Sequence, residues 1–223
     1  MTLPTHTTTI VSRLAKIREQ TGYVLRAAKE SLTAANSRLY PFDLLVIGAA
    51  KRHVSNAAAF CQLVEAWNLT TARALLRFQI DTTLRFSAAW LVDQPHDFAS
   101  KVLGGERIDR LRDRNGKRLT DAHLVEVHSE HVAWLPEVYK NLSGYVHFSS
   151  AHIMGAIQRL GEDHTAHFAA TETDEEMPES SWIEVTDCFL EITSMLIELL
   201  HDWRRVKDNP SIRTEGSSRT EKI

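Results

Sequence analysis

What most constrains this chain is where its helix breakers fall. Only nine glycines and six prolines occur in 223 residues, and most of them sit between stretches whose apolar residues recur at helical spacing. Such stretches fold as helices that each need a partner for one apolar face. The first, about Thr9 to Arg38, sets Ile10, Leu14, Ile17, Thr21, Val24, Ala28, Ser31 and Ala35 at steps of four and three. That is an a/d seam with polar residues at two of its positions. Pro41 suits a helix start, and a second helix follows to about Trp67, with Phe42, Val46, Ala49, Phe60 and Val64 on its stripe. Asn68 is placed to cap a third helix, about Leu69 to Val92.

Pattern fades from Pro95 to Arg118 and resumes at Thr120, which can cap a short helix to about Val132. A further helix is expected over about Leu135 to Leu160. Thr171 to Ser181 reads as a mobile acidic loop, and about Trp182 to Val206 as the most apolar helix. No stretch alternates as a strand does. The expected fold is therefore all-α, a compact bundle of about five to six long helices. Residues 1–40 form an N-terminal helix that packs or dimerises, 41–208 the bundle, and 209–223 a disordered polar tail. The five tryptophans, Trp67, Trp90, Trp134, Trp182 and Trp203, fall near helix ends, where a large ring can seal the core while its N–H reaches water.

Composition narrows the function classes. With 26 basic and 29 acidic residues the net charge is −3, so no global positive field recruits nucleic acid. Two cysteines, Cys61 and Cys188, are too few for a zinc ribbon and lie in apolar helical patterns, as reduced core thiols do. No apolar run approaches the roughly 20 residues of a membrane span, and Met1 to Thr9 lacks the apolar core of a secretory signal. The expected location is the cytoplasm, with no membrane association.

Polar residues on apolar helix faces must satisfy one another or serve a site, since a buried unpaired group costs about 1–3 kcal/mol. The second helix offers His53 and Asn56. The third offers Arg77, Asp81 and Arg85 at successive four-residue steps, and a later one offers Ser143 and His147 at the same spacing. Taken singly, these are helix pairs: Arg77 with Asp81, and Ser143 with His147. Taken together, a histidine that titrates near neutrality and a planar guanidinium suit proton transfer with anion stabilisation.

The stretch Ala74-Leu-Leu-Arg77-Phe-Gln-Ile-Asp81, with the later Tyr139-x-x-Leu-Ser143-x-x-x-His147, resembles a bacterial helical-bundle family, a domain of unknown function, within the wider HEPN-like group. The resemblance spans about Phe42 to Leu200. The group includes metal-independent ribonucleases of toxin and phage-defence systems. The resemblance implies a homodimer in which His147 deprotonates a ribose 2′-hydroxyl, Arg77 steadies the phosphorane and Asp81 orients Arg77, with Ser143 beside them and no metal or other cofactor. The group's Arg–His nuclease spacing also occurs twice, Arg118 to His123 and Arg159 to His164, but neither pair lies inside one long helix.

Arg107, Arg110, Arg112, Arg114, Lys117 and Arg118 form a basic run that can engage RNA phosphates by counterion release, although Asp109 and Asp113 dilute it. Two other functions compete. The first is a non-catalytic interaction module, in which the N-terminal helix pairs with a protein partner and the buried polar residues fix helix register. The second is a metal-binding enzyme: His123 with Glu126 and His128 with His131 have ligand spacing, but HExxH and paired Glu-x-x-His motifs are absent. The leading expectation is a protein of a bacterial stress or defence system, with ribonuclease as its enzymatic reading.

Overall fold

The computed structural model describes residues 5–147, 149–160, 165–168 and 170–209. Among these residues the α-helices are, in chain order, α1 (Thr8–Ser37), α2 (Pro41–Glu65), α3 (Leu69–Ser87), α4 (Pro95–Leu103), α5 (Asp121–Ser129), α6 (Leu135–Val146), α7 (Ser150–Gly155) and α8 (Glu179–Asp208). The all-α architecture follows the apolar periodicity. Only α1, α2, α3 and α8 are long, at 30, 25, 19 and 30 residues, so the expected five to six long helices reduce to four. No helix among the described residues is long and apolar enough to cross a membrane.

The shortfall comes from the stretch expected to be helical from Leu135 to Leu160. Its helix stops at Val146, and His147 takes extended backbone angles. The Ser149 hydroxyl donates to the carbonyl of Gly144 at 2.9 Å, satisfying a last-turn acceptor that a continued helix would have used. After the single turn of α7, β1 (Ile157–Leu160) pairs antiparallel with β2 (Ala166–Phe168). Among the described residues these two short strands, of four and three residues, leave the all-α architecture unchanged. His164 of the second Arg–His spacing and the tail from residue 210 lie outside the described residues.

Helix α1 buries Ile10, Leu14, Ile17, Val24 and Ala28, the apolar seam legible in the sequence, against the rest of the chain. Its main partner is α8. Arg13 meets Asp187 at 2.6 Å, Gln20 meets Ser194 at 2.9 Å and Glu30 meets Arg204 at 2.6 Å, each pair 174 residues apart. A constant offset means that the two helices run parallel. The seam offered to a partner subunit or protein is thus covered within the chain.

The bundle is tied at one end by a buried polar knot. Asp43 accepts from the Tyr40 backbone N–H at 2.8 Å, completing a capping box, and from the Trp203 indole at 2.8 Å. Lys207 reaches the same carboxylate and the Ser31 carbonyl. Beyond Ser31, α1 loses helical angles at Ala34, and the Ala35 N–H turns to the Asp208 carboxylate at 2.9 Å. At the other end the acidic segment bonds the junction of α2 and α3. Asp174 accepts from the Thr70 N–H at 2.8 Å at the start of α3, and its own N–H meets the Trp67 carbonyl.

Candidate functional site

The two motifs that the sequence holds far apart meet along the α3–α6 seam. Arg77 and Asp81 form the expected pair one turn apart on α3, with side chains only 10% and 17% exposed. The Tyr139 ring of α6 covers Arg77, its centroid 3.5 Å from the guanidinium carbon, and its hydroxyl donates to Asp81 at 3.3 Å. Burial, reinforced by the charge of Asp81, pushes the Tyr139 hydroxyl well above its ordinary range, with Arg77 opposing. The phenol therefore stays protonated and serves as a donor. A turn further, Arg85 grips Asp121 at the start of α5 with bonds of 3.0 and 3.1 Å.

The other half of the seam differs from the expectation. Among the described residues the Ser143 hydroxyl does not meet the His147 ring: it donates back to the Tyr139 carbonyl at 2.9 Å. Helix α6 ends before His147, whose N–H reaches the Ser143 carbonyl at 3.2 Å while its side chain stands exposed. Among the described residues no contact joins His147 to Arg77 or Asp81. The arginine is an inward clamp, and the histidine is an outward group at the helix end.

Sequence reasoning missed Arg73 and Tyr145. Arg73 lies one turn before Arg77 and donates to the Tyr145 hydroxyl at 2.6 Å, with its guanidinium carbon 4.8 Å from that ring's centroid. Both border a cleft of about 290 Å³ between α3, α6 and α8. The signal was present in the spacing, since Arg73, Arg77, Asp81 and Arg85 form one continuous four-residue ladder. Cys188 also lines the cleft, but burial pushes its thiol up to about 12, so it is no nucleophile at neutral pH.

His53 and Asn56 are buried in the core, as is Gln79 of α3. His53 Nε2 lies 3.4 Å from the Thr21 hydroxyl. His53 Nδ1, Asn56 Nδ2 and both polar atoms of the Gln79 amide are buried without a hydrogen-bond partner among the described residues. Burial lowers His53 to about 4, the Gln79 amide partly opposing, so the ring is neutral at pH 7. This polar layer is enclosed and does not communicate with the Arg77 cluster through any bond described.

The basic run folds on itself. Arg107 pairs with Asp109, Arg112 bonds the Gly116 carbonyl, Arg114 holds the Trp90 and Leu91 carbonyls, and Lys117 meets Glu126. Arg110 and Arg118 are exposed and bond no described residue through their side chains. At the centre of the loop Asp113 accepts from the Asn115 and Lys117 N–H groups and lies 2.8 Å from His123 Nε2. Burial works to raise the Asp113 carboxyl, but His123 and these amides outweigh it and hold it below its usual range. The Arg118 to His123 spacing thus delivers its histidine to Asp113 in the loop.

The histidines with metal-ligand spacing disperse. His123 faces Asp113, with Glu126 at 3.6 Å, whereas His128 bonds the Ser87 hydroxyl at 2.7 Å. Among the described residues no group of three or more His, Cys, Asp or Glu side chains is placed to hold a metal ion. Compared with family models, with curated proteins and with solved structures, the chain matches none of them, so its site is read from its own geometry.

Proposed function

We propose that this chain is a HEPN-like helical protein of a bacterial stress or defence system that acts on RNA as a metal-independent ribonuclease. One observation supports the reading above others: Arg77 and Asp81 of α3 meet Tyr139 of α6, the helix that carries Ser143 and leads directly into His147. His147, exposed and with no ring bond to a described residue, takes the proton of a ribose 2′-hydroxyl. The 2′-oxygen attacks phosphorus and the 5′-oxygen leaves with a proton, which a second histidine supplies when two copies pair. Charge at the phosphorane is met by the arginines of α3. Arg110 and Arg118 add phosphate contacts.

A second reading has its own support. Arg77 is already held by Asp81 and Tyr139, as in an interaction module whose polar residues fix the register of α3 on α6. Incubating the purified protein with labelled total RNA, with and without EDTA and beside His147→Ala, separates the two. The ribonuclease reading expects EDTA-resistant cleavage that the substitution abolishes while the melting temperature stays unchanged. Intact RNA in every lane turns the weight to the interaction module.

A further inference from the structure

The cleft between α3, α6 and α8 is distinct from the Arg77–Asp81–Tyr139 clamp and has a built rim. Its floor is apolar, with Leu76, Leu142 and Val185 from the three helices. Around it stand four polar side chains: Arg73 from α3, Asn141 and Tyr145 from α6, and Glu184 from α8. Tyr145 fixes Arg73 through one N–H of its guanidinium and by contact with the ring. The rest of that five-donor fork bonds no described residue, and neither the Asn141 nor the Glu184 side chain bonds one either. The rim therefore presents a positioned donor-only fork, an acceptor-only carboxylate and an amide that does both.

Size and chemistry select the occupant. At about 290 Å³ the cleft lies just below the usual range for drug-sized ligands, roughly 300–1,000 Å³, and suits a compact flat group. That group needs apolar faces for the floor, paired acceptors for Arg73 and paired donors for Glu184. Guanine has this combination: O6 and N7 accept from an arginine fork, while N1–H and the 2-amino group donate to a carboxylate. Adenine puts an amino donor where O6 would be and lacks the donor pair. We propose that the cleft is a guanine-binding site. On the ribonuclease reading above, it holds the base next to the cleaved phosphodiester, one turn of α3 from Arg77.

The test is calorimetric titration of the full chain with guanosine, adenosine and cytidine 5′-monophosphates, beside Glu184→Gln and Arg73→Met. Saturable guanosine monophosphate binding is expected, at least about tenfold tighter than adenosine monophosphate, with Glu184→Gln weakening it about tenfold. Glu184 is exposed, so its variant keeps the fold and its unchanged melting curve validates the comparison. Absence of saturable binding up to about 5 mM, equal binding of all three, or binding indifferent to Glu184→Gln overturns the site. The two readings fail separately: guanosine monophosphate binding without RNA cleavage keeps the cleft and removes the nuclease. RNA cleavage without guanine discrimination does the reverse.

Discussion

Lys207 reaches Asp43 across 2.9 Å with neither side chain exposed to solvent, and the contact joins the C-terminal part of α8 to the first turn of α2. The same carboxylate also holds the Trp203 indole and the Tyr40 amide, so three donors share one buried charge. Removing the carboxylate leaves the lysine buried and uncompensated. Asp43→Ala is expected to lose about 3–5 kcal/mol of unfolding free energy. Adding Lys207→Met should recover part of that loss, because the stranded charge goes with it. Urea denaturation of the two variants measures both, and a loss below about 1 kcal/mol would show that the knot is not what holds these ends.

The Arg77–Asp81–Tyr139 cluster makes a coupled prediction. Tyr139→Phe removes one hydrogen bond and should cost about 0.5–1.5 kcal/mol. Arg77→Met should cost more, since it strands Asp81 under a half-buried phenol, and Asp81→Asn in the same chain should restore part of the difference. A double-mutant cycle reads the coupling, expected at about 0.5–3 kcal/mol. Strict additivity would mean that the two side chains act independently despite their contact.

Burial depresses His53 and His128 to about 4, the second with help from His131. Between the ordinary value near 6.5 and about 4, the unfolded chain binds protons that the native state refuses. Stability is therefore complete above about pH 6.5 and falls as pH drops towards 4, each ring contributing up to about 1.4 kcal/mol per pH unit. Carboxylates held low, such as Asp113, act below that window. Unfolding midpoints from pH 7.5 to 4.5 should slope accordingly, and His53→Gln should shrink the slope. An unaltered slope in that variant would assign the effect elsewhere.

Both thiols are buried, with Cys61 pushed up to about 11 and Cys188 to about 12 by desolvation. A thiol disulfide reagent at pH 7.5 should label neither in the native protein and both in denaturant. Rapid native labelling of Cys188 would show that the floor of the cleft opens.

Local features were legible in the sequence. Asn68 accepts from the Thr71 N–H at 2.9 Å, Thr120 accepts from the His123 N–H at 3.3 Å, and Pro41 opens α2, because caps depend on a few neighbouring residues. The Arg77–Asp81 pair was legible for the same reason. The break at His147 was not, since Val146, Ile153 and Ile157 continue a helical spacing through it, whereas α6 ends at Val146 and the Ser149 hydroxyl takes the Gly144 carbonyl. The partnerships that define the candidate site, Tyr139 with Asp81 and Arg73 with Tyr145, join residues 58 and 72 apart. No periodicity within one helix reveals such a pairing.

The parallel seating of α1 on α8 also sets an order in time. An antiparallel neighbour can follow after a short turn, but a parallel one waits until the chain has run back the length of the bundle. Here the partner residues lie 174 positions later. At ~5–20 residues per second, synthesis leaves the apolar seam of α1 without its mate for roughly 10 to 35 s. During that interval α1 can pack on α2 but not on α8, and its α8-facing side is open to whatever else binds a nascent amphipathic helix.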